Sequence, residues 1–419
     1  RSMLRALGTV RMRALTVLLV VPLVMLPLYA VSPTVADMSA PLLTGSLAQI
    51  RDRHSSVKWV AFAPDVLPVW VAEMDALPCP AVVESVSAAM SRGDTGYGWG
   101  PPYAAAVADF AADRWAWTPA PARMVVVADV MIGVAEVLRQ VTPGGGSVVV
   151  SPPCYDSFFG FTQAIGRRLV EAPLVDDRLN ADALDRAFGE ARAGGEPAAY
   201  LLCNPQNPTG TVHTAAELSE LARIAHAHGV TVVADEIHAP LVYPGGAPFT
   251  PYLSVPGGER GIAVFSPSKG WNLAGLKSAA VIFGEDAAAI QAGFHDVHTH
   301  GASHVAMQAH IAALRDGRDW LDQVLLELST NRQVLGAALA TALPEIGYAA
   351  PAATYLAWLD CRTLGLGDDP AAVFRDRGRV ALSSGPAYGA TAGAGFARFN
   401  FATSPEVIQD AVSRMASAL

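Results

Sequence analysis

The sequence predicts an α/β protein, with a mostly parallel sheet flanked by helices and joined to a smaller α+β domain. Three observations predict it. Short apolar runs alternate with helical patterns from about residue 85 to 318. After residue 318 the pattern changes to one long helical stretch followed by short strand-like runs. Finally, 52% of the 419 residues are hydrophobic and only 16% charged, which supplies a large core and excludes a disordered chain.

The strand-like runs, in order, are Met124–Ala128, Ser147–Ser151, Ala198–Cys203, Val230–Ala234, Gly261–Ser266 and Ser278–Phe283. Their near-continuous apolar character suits strands covered on both faces. Between them, Ala215–His228 sets Leu218, Leu221, Ile224 and Ala225 at helical spacing. Thr214 is the expected N-cap, with Glu217 completing a capping box. Glycine and proline cluster at the joints, in Pro143–Gly146, Gly194–Gly195, Pro244–Gly246 and Pro256–Gly258. Beyond these come a helix from Asp319 to about Leu343, the run Tyr355–Asp360, two short strand candidates and a closing helix near Pro405–Leu419. The expected division is a leader over 1–39, a large domain over 86–318, and a small domain from 40–85 and 319–419.

The leader does not match the rest. Arg1, Arg5, Arg11 and Arg13 precede an apolar run from Ala14 to Val31, followed by Thr34-Val35-Ala36. That order imitates a secretory signal or an anchor. Met38 begins Met-Ser-Ala-Pro-Leu-Leu, a start suited to a soluble protein, so an over-extended start is the other reading. Both stay open, and the segment is excluded from the fold.

Charge and cysteine usage narrow the classes. The 29 Lys+Arg against 38 Asp+Glu give a formal charge of −9, which disfavours nucleic acid as a partner. Cys79, Cys154, Cys203 and Cys361 form no C-x-x-C pair, so neither a zinc framework nor a disulfide scaffold is expected. A cytoplasmic, reducing setting follows, with no membrane contact unless the leader is retained. Five histidines fall between 295 and 310: His295, His298, His300, His304 and His310. His300 and His304 have the i, i+4 spacing of a metal pair, yet no carboxylate or cysteine joins them at a ligand-like interval. The expectation is no metal, and a helix and loop lining a cleft.

Three motifs carry chemistry. In Ser266-Pro-Ser268-Lys269-Gly-Trp-Asn-Leu-Ala-Gly-Leu-Lys277, a lysine directly follows an apolar strand. A buried lysine of lowered pKa is a nucleophile able to form a Schiff base with an aldehyde. Ser266 and Ser268 offer hydroxyls, and Lys277 a charge, to a phosphate. Asp235 ends the apolar run Val232-Val-Ala, at the sheet edge where ligands bind in open α/β sheets. It could hold a pyridinium nitrogen protonated, or simply cap a helix. Asn204-Pro-Gln-Asn207-Pro208-Thr-Gly210 is a fixed non-helical loop able to aim the Asn207 amide at a ligand oxygen.

Asn207, Asp235 and Lys269 fall at intervals of 28 and 34 residues. With them the chain resembles the fold-type-I pyridoxal-phosphate (PLP) enzymes of the class-I/II aminotransferase superfamily, over roughly residues 40–419. Asp235-Glu-Ile-His238, Ser266-x-Ser268-Lys269-x-x-Asn272-Leu-Ala-Gly275 and Trp70-Val-Ala-Glu-Met-Asp75 look like its cystathionine β-lyase (C–S lyase) branch. Val57-Lys58-Trp59, Pro64–Pro68 and Ala353–Asp360 fit the same branch.

The resemblance implies the PLP-transferase fold, pyridoxal 5'-phosphate as cofactor, an amino-acid substrate and a homodimer. It implies α,β-elimination on an S-substituted cysteine such as cystathionine. Amino transfer is the alternative, and a PLP-binding regulatory protein a lesser one. By the same resemblance, Lys269 would bind the cofactor and move the Cα proton. Asp235 would pair with the ring nitrogen with His238 beside it, Asn207 would bond the ring hydroxyl oxygen, and Tyr155 would stack on the ring. The phosphate would rest on N–H groups near Val130 and Met131, aided by Ser266, Ser268 and Lys277, with Tyr97 reaching over from a neighbouring subunit. Arg398 would clamp the substrate carboxylate. The chain departs from the branch at Ala76, Gln206, Trp271, Ala353 and Phe401–Ser404, positions that bear on the substrate side-chain pocket rather than on a catalytic group.

Overall fold

Unbroken apolar runs, each bounded by turn residues, condense into the central sheet of the computed structural model, which describes residues 40–419. The leader reading of residues 1–39 lies outside the described residues. A short strand, β1 (Leu67–Pro68), comes first. The large sheet follows: β2 (Met124–Val127), β3 (Ser147–Val150), β4 (Arg168–Glu171), β5 (Ala198–Cys203), β6 (Val230–Asp235), β7 (Ile262–Phe265) and β8 (Ala279–Phe283). Their order is β2-β8-β7-β6-β5-β3-β4. All run parallel except β8, which is antiparallel to both its neighbours. The α/β expectation therefore holds. Strand β4 is the one that the sequence reading lacks: Arg-Leu-Val-Glu lies at the sheet edge and fully buries only Val170, so it carries no apolar run.

The helices are set by local chemistry. Ala215–His228 has the expected capping box between Thr214 and Glu217 and ends at Gly229, whose φ of 64° suits glycine. Leu218 and Leu221 on its inner face are wholly buried, each such burial worth about 1.5–3 kcal/mol. Val130–Val141 is capped by Asp129, whose carboxylate accepts the Ile132 N–H at 2.8 Å. A Cβ on its Gly133 would meet Val127, Val281 and Val264 side-chain carbons at 3.0–3.3 Å. The missing side chain lets this helix lie close on the sheet, with its N-terminus at the strand ends.

A second, antiparallel sheet contains β9 (Gly347–Tyr348), β10 (Leu356–Asp360), then, after β11 (Val380–Ala381), β12 (Ser383–Ser384) and β13 (Phe396–Asn400). Its order is β12-β13-β10-β9, while β11 pairs in parallel with β1. Helices Arg318–Ala342 and Pro405–Ser417 pack against each other beside it. Among the described residues no helix is long and apolar enough to cross a membrane.

Register places the chemistry. Cys203 of β5 lies opposite Asp235 of β6, and Asp235 opposite Val264 of β7. The carboxyl ends of these strands are therefore level, and the loops beyond them carry Asn207 and Lys269 to the same edge. From the second sheet, Arg398 of β13 stands opposite Trp358 and Ser383.

Candidate active site

One cavity of about 440 Å³ gathers eleven of the twelve residues singled out from the sequence. Lys269, Asp235, Asn207, His238, Tyr155, Val130, Met131, Ser266, Ser268, Lys277 and Arg398 all line it. Tyr97 does not. It is fully exposed, next to the largely exposed Trp99, along a separate groove of about 970 Å³.

Lys269 sits in the turn after β7, and its Nζ donates to the Ala72 carbonyl at 2.7 Å. Burial lowers its amine to about 8, with the nearby Arg398 charge acting in the same direction. A larger fraction is thus the free nucleophile at neutral pH than for a solvated lysine. Asp235 closes β6 with Oδ1 accepting the Ile237 N–H at 3.1 Å. Burial raises its carboxyl to about 7, opposed by that hydrogen bond and by the Lys269 charge. A buried carboxyl of this kind is suited to a cationic partner, which would restore its ionised form.

Arg398 is buried on β13. Its Nη1 donates to Asn207 Oδ1 at 3.0 Å, and its Nη2 to the Trp70 carbonyl at 2.9 Å and Ser383 Oγ at 3.2 Å. The guanidinium stacks over Tyr388 at 4.8 Å, and among the described residues its buried Nε has no partner. A guanidinium that lines a cavity is a place for an anionic ligand group. Because Asn207 Oδ1 is taken by Arg398, its Nδ2 is the end left to donate.

At the other end of the cavity, Val130 and Met131 occupy the first turn of their helix, where N–H groups have no intrahelical acceptor. Lys277 Nζ lies 3.1 Å from Asp129 Oδ2 beside them. Ser268 lines the wall, whereas the Ser266 hydroxyl is already engaged, donating to Ser278 O at 2.8 Å and accepting the Ser268 N–H at 3.2 Å. The donor set fits a phosphorylated pyridine aldehyde: N–H groups and a lysine for the phosphate, a carboxyl for the ring nitrogen, an amine for the aldehyde.

Among the histidines one expectation is corrected, that the run from 295 to 310 lines the cleft. His238 lines the cavity edge-on to Tyr355, with ring centroids 6.3 Å apart, and its buried Nδ1 has no partner among the described residues. No hydrogen bond among the described residues joins it to Asp235, because the turn after β6 points its ring towards Tyr355. Burial, and next the Lys269 charge, hold it well below the usual histidine range, so it is neutral. The histidines from 295 to 310 do not line this cavity. His300 borders the Tyr97 groove, His304 bonds Asp94 at 3.0 Å, and His310 is buried against Tyr103. His295 and His298 lie beside Glu136, Arg139 and Gln140 of the Val130 helix, and the helix that carries His304 and His310 packs on the Pro80–Ser91 helix.

Sequence reasoning assigned no role to Trp70, Ser383, Tyr355, Asn272 or Asn400. The backbone and hydroxyl groups of the first two hold Arg398, and the others bind the segment 71–74. A signal existed for Asn400, a polar amide closing the strand Phe-Ala-Arg-Phe-Asn, since asparagine is depleted in strands.

The family model for aminotransferase class I and II matches residues 66–415. A Mycobacterium tuberculosis protein provisionally named cystathionine beta-lyase is 48% identical over 401 residues, covering 90% of this chain and 98% of its own length. The cystathionine beta-lyase of Corynebacterium glutamicum is 32% identical over 381 residues, covering 89% and 99%. The crystal structure of a Corynebacterium diphtheriae protein, provisionally described as a PLP-dependent beta-cystathionase, superposes with a TM-score of 0.83 at 34% identity, covering 90% and 98%.

Proposed function

Because the chain belongs to the aminotransferase class I and II family, we propose that it is a pyridoxal-phosphate-dependent carbon–sulfur β-lyase. It takes an S-substituted cysteine and water to a thiol, pyruvate and ammonia. The observation that carries this reading is the convergence of Lys269, Asp235 and Arg398 on one cavity. The named relatives support the choice of substrate.

Pyridoxal phosphate, when bound, supplies an electron-poor ring that draws off the electron pair left at Cα. Lys269 Nζ holds the cofactor between turnovers and takes the Cα proton once freed. Asp235 would keep the ring nitrogen protonated, Asn207 Nδ2 would donate to the ring oxygen, and Tyr155 would stack on the ring. Val130 and Met131 N–H groups, Ser268 and Lys277 hold the phosphate. Arg398 orients the α-carboxylate, so that the Cα–H bond faces Lys269. The proton collected on Nζ is then available to the sulfur leaving Cβ.

Amino transfer is the second reading, favoured by the description of the family model itself. It uses the same lysine, carboxylate and arginine, so products decide. Incubating cofactor-loaded protein with L-cystathionine tests both. Thiol together with pyruvate supports the lyase. A keto acid that retains the thioether, with the cofactor left in its amine form, supports amino transfer instead.

Tyr97 and Trp99, exposed along their groove, support a homodimer in which Tyr97 serves the partner's site. The four cysteines are free and buried, in keeping with a reducing, cytoplasmic setting.

A further inference from the structure

The segment Trp70–Asp75 runs through the interior outside any helix or strand, and side chains from distant parts of the chain hold its backbone. The Asn272 amide makes both bonds to Met74: Oδ1 accepts its N–H and Nδ2 donates to its carbonyl, each at 2.8 Å. Asn400 Nδ2 donates to the Val71 and Glu73 carbonyls, each at 2.7 Å, while its Oδ1 accepts the Ala402 N–H. Lys58, wholly buried, pairs with Asp75 at 2.8 Å and donates to Glu73 O at 3.2 Å. Between these clamps lies the Ala72 carbonyl, which accepts from Lys269 Nζ at 2.7 Å and from the buried Tyr355 hydroxyl at 2.9 Å.

Satisfying a buried irregular backbone would require such bonds anywhere. Two features go beyond that need. The strap's Trp70, Val71 and Ala72 form the cavity wall itself, and its central acceptor is the one that the reactive lysine uses. Asn272 also belongs to the same turn as Lys269 and has a φ of 57°, a left-handed conformation that asparagine tolerates. The lysine and the acceptor of its amine are thus fastened to one turn.

We infer that the Trp70–Asp75 strap is a seat for the free Lys269 amine, and that Asn272 and Asn400 are positioning residues that hold its Ala72 carbonyl in place. This rests on reading Lys269 as the lysine that binds the cofactor. Whenever the amine is not bonded to the cofactor, the seat fixes the point from which Nζ takes or returns a proton, and misplacement by about 1 Å is costly in rate.

Asn272→Gly in the full-length, cofactor-loaded enzyme tests this. Glycine removes both bonds to Met74 and accepts the positive φ without strain. With L-cystathionine, kcat is expected to fall about tenfold, while KM and cofactor affinity change by less than about threefold. The acid limb of the kcat profile is expected to move to lower pH, because a displaced carbonyl favours the ammonium form less. A second readout does not depend on the reaction catalysed: capture of added pyridoxal phosphate by cofactor-free protein, followed by absorbance, slows by about tenfold. If the wild type yields no thiol or pyruvate but capture still slows in the variant, the seat stands and the lyase reading falls. A folded variant with unchanged kcat, acid limb and capture rate overturns the seat, as does a loss confined to thermal stability. Should Asn272→Gly not fold, Asn400→Ser is measured in the same three ways: a slowed capture supports the seat, and unchanged kcat, acid limb and capture rate overturn it.

Discussion

Arg398 Nη1 donates to Asn207 Oδ1 across 3.0 Å, tying the second sheet to the loop beyond β5. One guanidinium thereby orients the asparagine proposed for the cofactor ring, while among the described residues its buried Nε has no partner.

Arg398→Lys should separate these duties poorly. A single ammonium cannot reach Asn207, the Trp70 carbonyl and Ser383 while also bonding a carboxylate in a planar fork. Charge-assisted hydrogen bonds of this kind are worth about 1.5–3 kcal/mol. Steady-state assay with an S-substituted cysteine is expected to show kcat/KM reduced roughly 10–100-fold, mainly through KM. An unchanged KM would place the carboxylate elsewhere.

The carboxyl of Asp235, raised by burial from 3.8 to about 7, makes cofactor-free protein sensitive to pH. A raised carboxyl binds its proton in the folded state at pH values where the unfolded chain has lost it. Stability therefore falls as pH rises between about 4 and 7, by up to about 1.4 kcal/mol per pH unit for one group. Glu236, raised by burial to about 8, adds to the same trend. Lys269, lowered to about 8, acts in a different window, with stability rising as pH climbs above that value. Urea unfolding of cofactor-free Asp235→Asn at pH 5, 6 and 7 should show a shallower slope than the wild type. Equal slopes would mean that Asp235 is already ionised.

Gly133 controls how closely the Val130–Val141 helix approaches the sheet. Gly133→Val puts its Cβ within 3.0–3.3 Å of three valine side chains. Overpacking of this kind costs about 1–3 kcal/mol. The thermal midpoint should drop, and cofactor affinity should weaken as the N–H groups of Val130 and Met131 shift. A variant with native midpoint and affinity would show that the helix can move away without affecting the phosphate seat.

The reactive core of this site was legible because each of its groups follows a strand or marks a turn. Asp235 ends an apolar run, Lys269 sits in a serine- and glycine-rich turn after another, and Asn207 lies between prolines. Strand β4 was not legible, since an edge strand with one buried residue has no apolar signature. Nor were the roles of Asn272 and Asn400, although both stand in segments that the sequence singles out. Their partners are backbone groups some 200 and 330 residues away in the chain, and backbone acceptors leave no mark in a sequence. The histidines misled for the opposite reason: a dense run of one residue type suggested a common destination, and the fold sends His300 to the Tyr97 groove, His304 to Asp94 and His310 into the interior.

The most direct test of this active site is to load the protein with pyridoxal phosphate, reduce it with borohydride and map the modified peptide by mass spectrometry. The expected result is a single phosphopyridoxyl group on Lys269, absent from Lys269→Ala. Modification of another lysine, or none in a protein that folds, would contradict the assignment of this cavity as the active site.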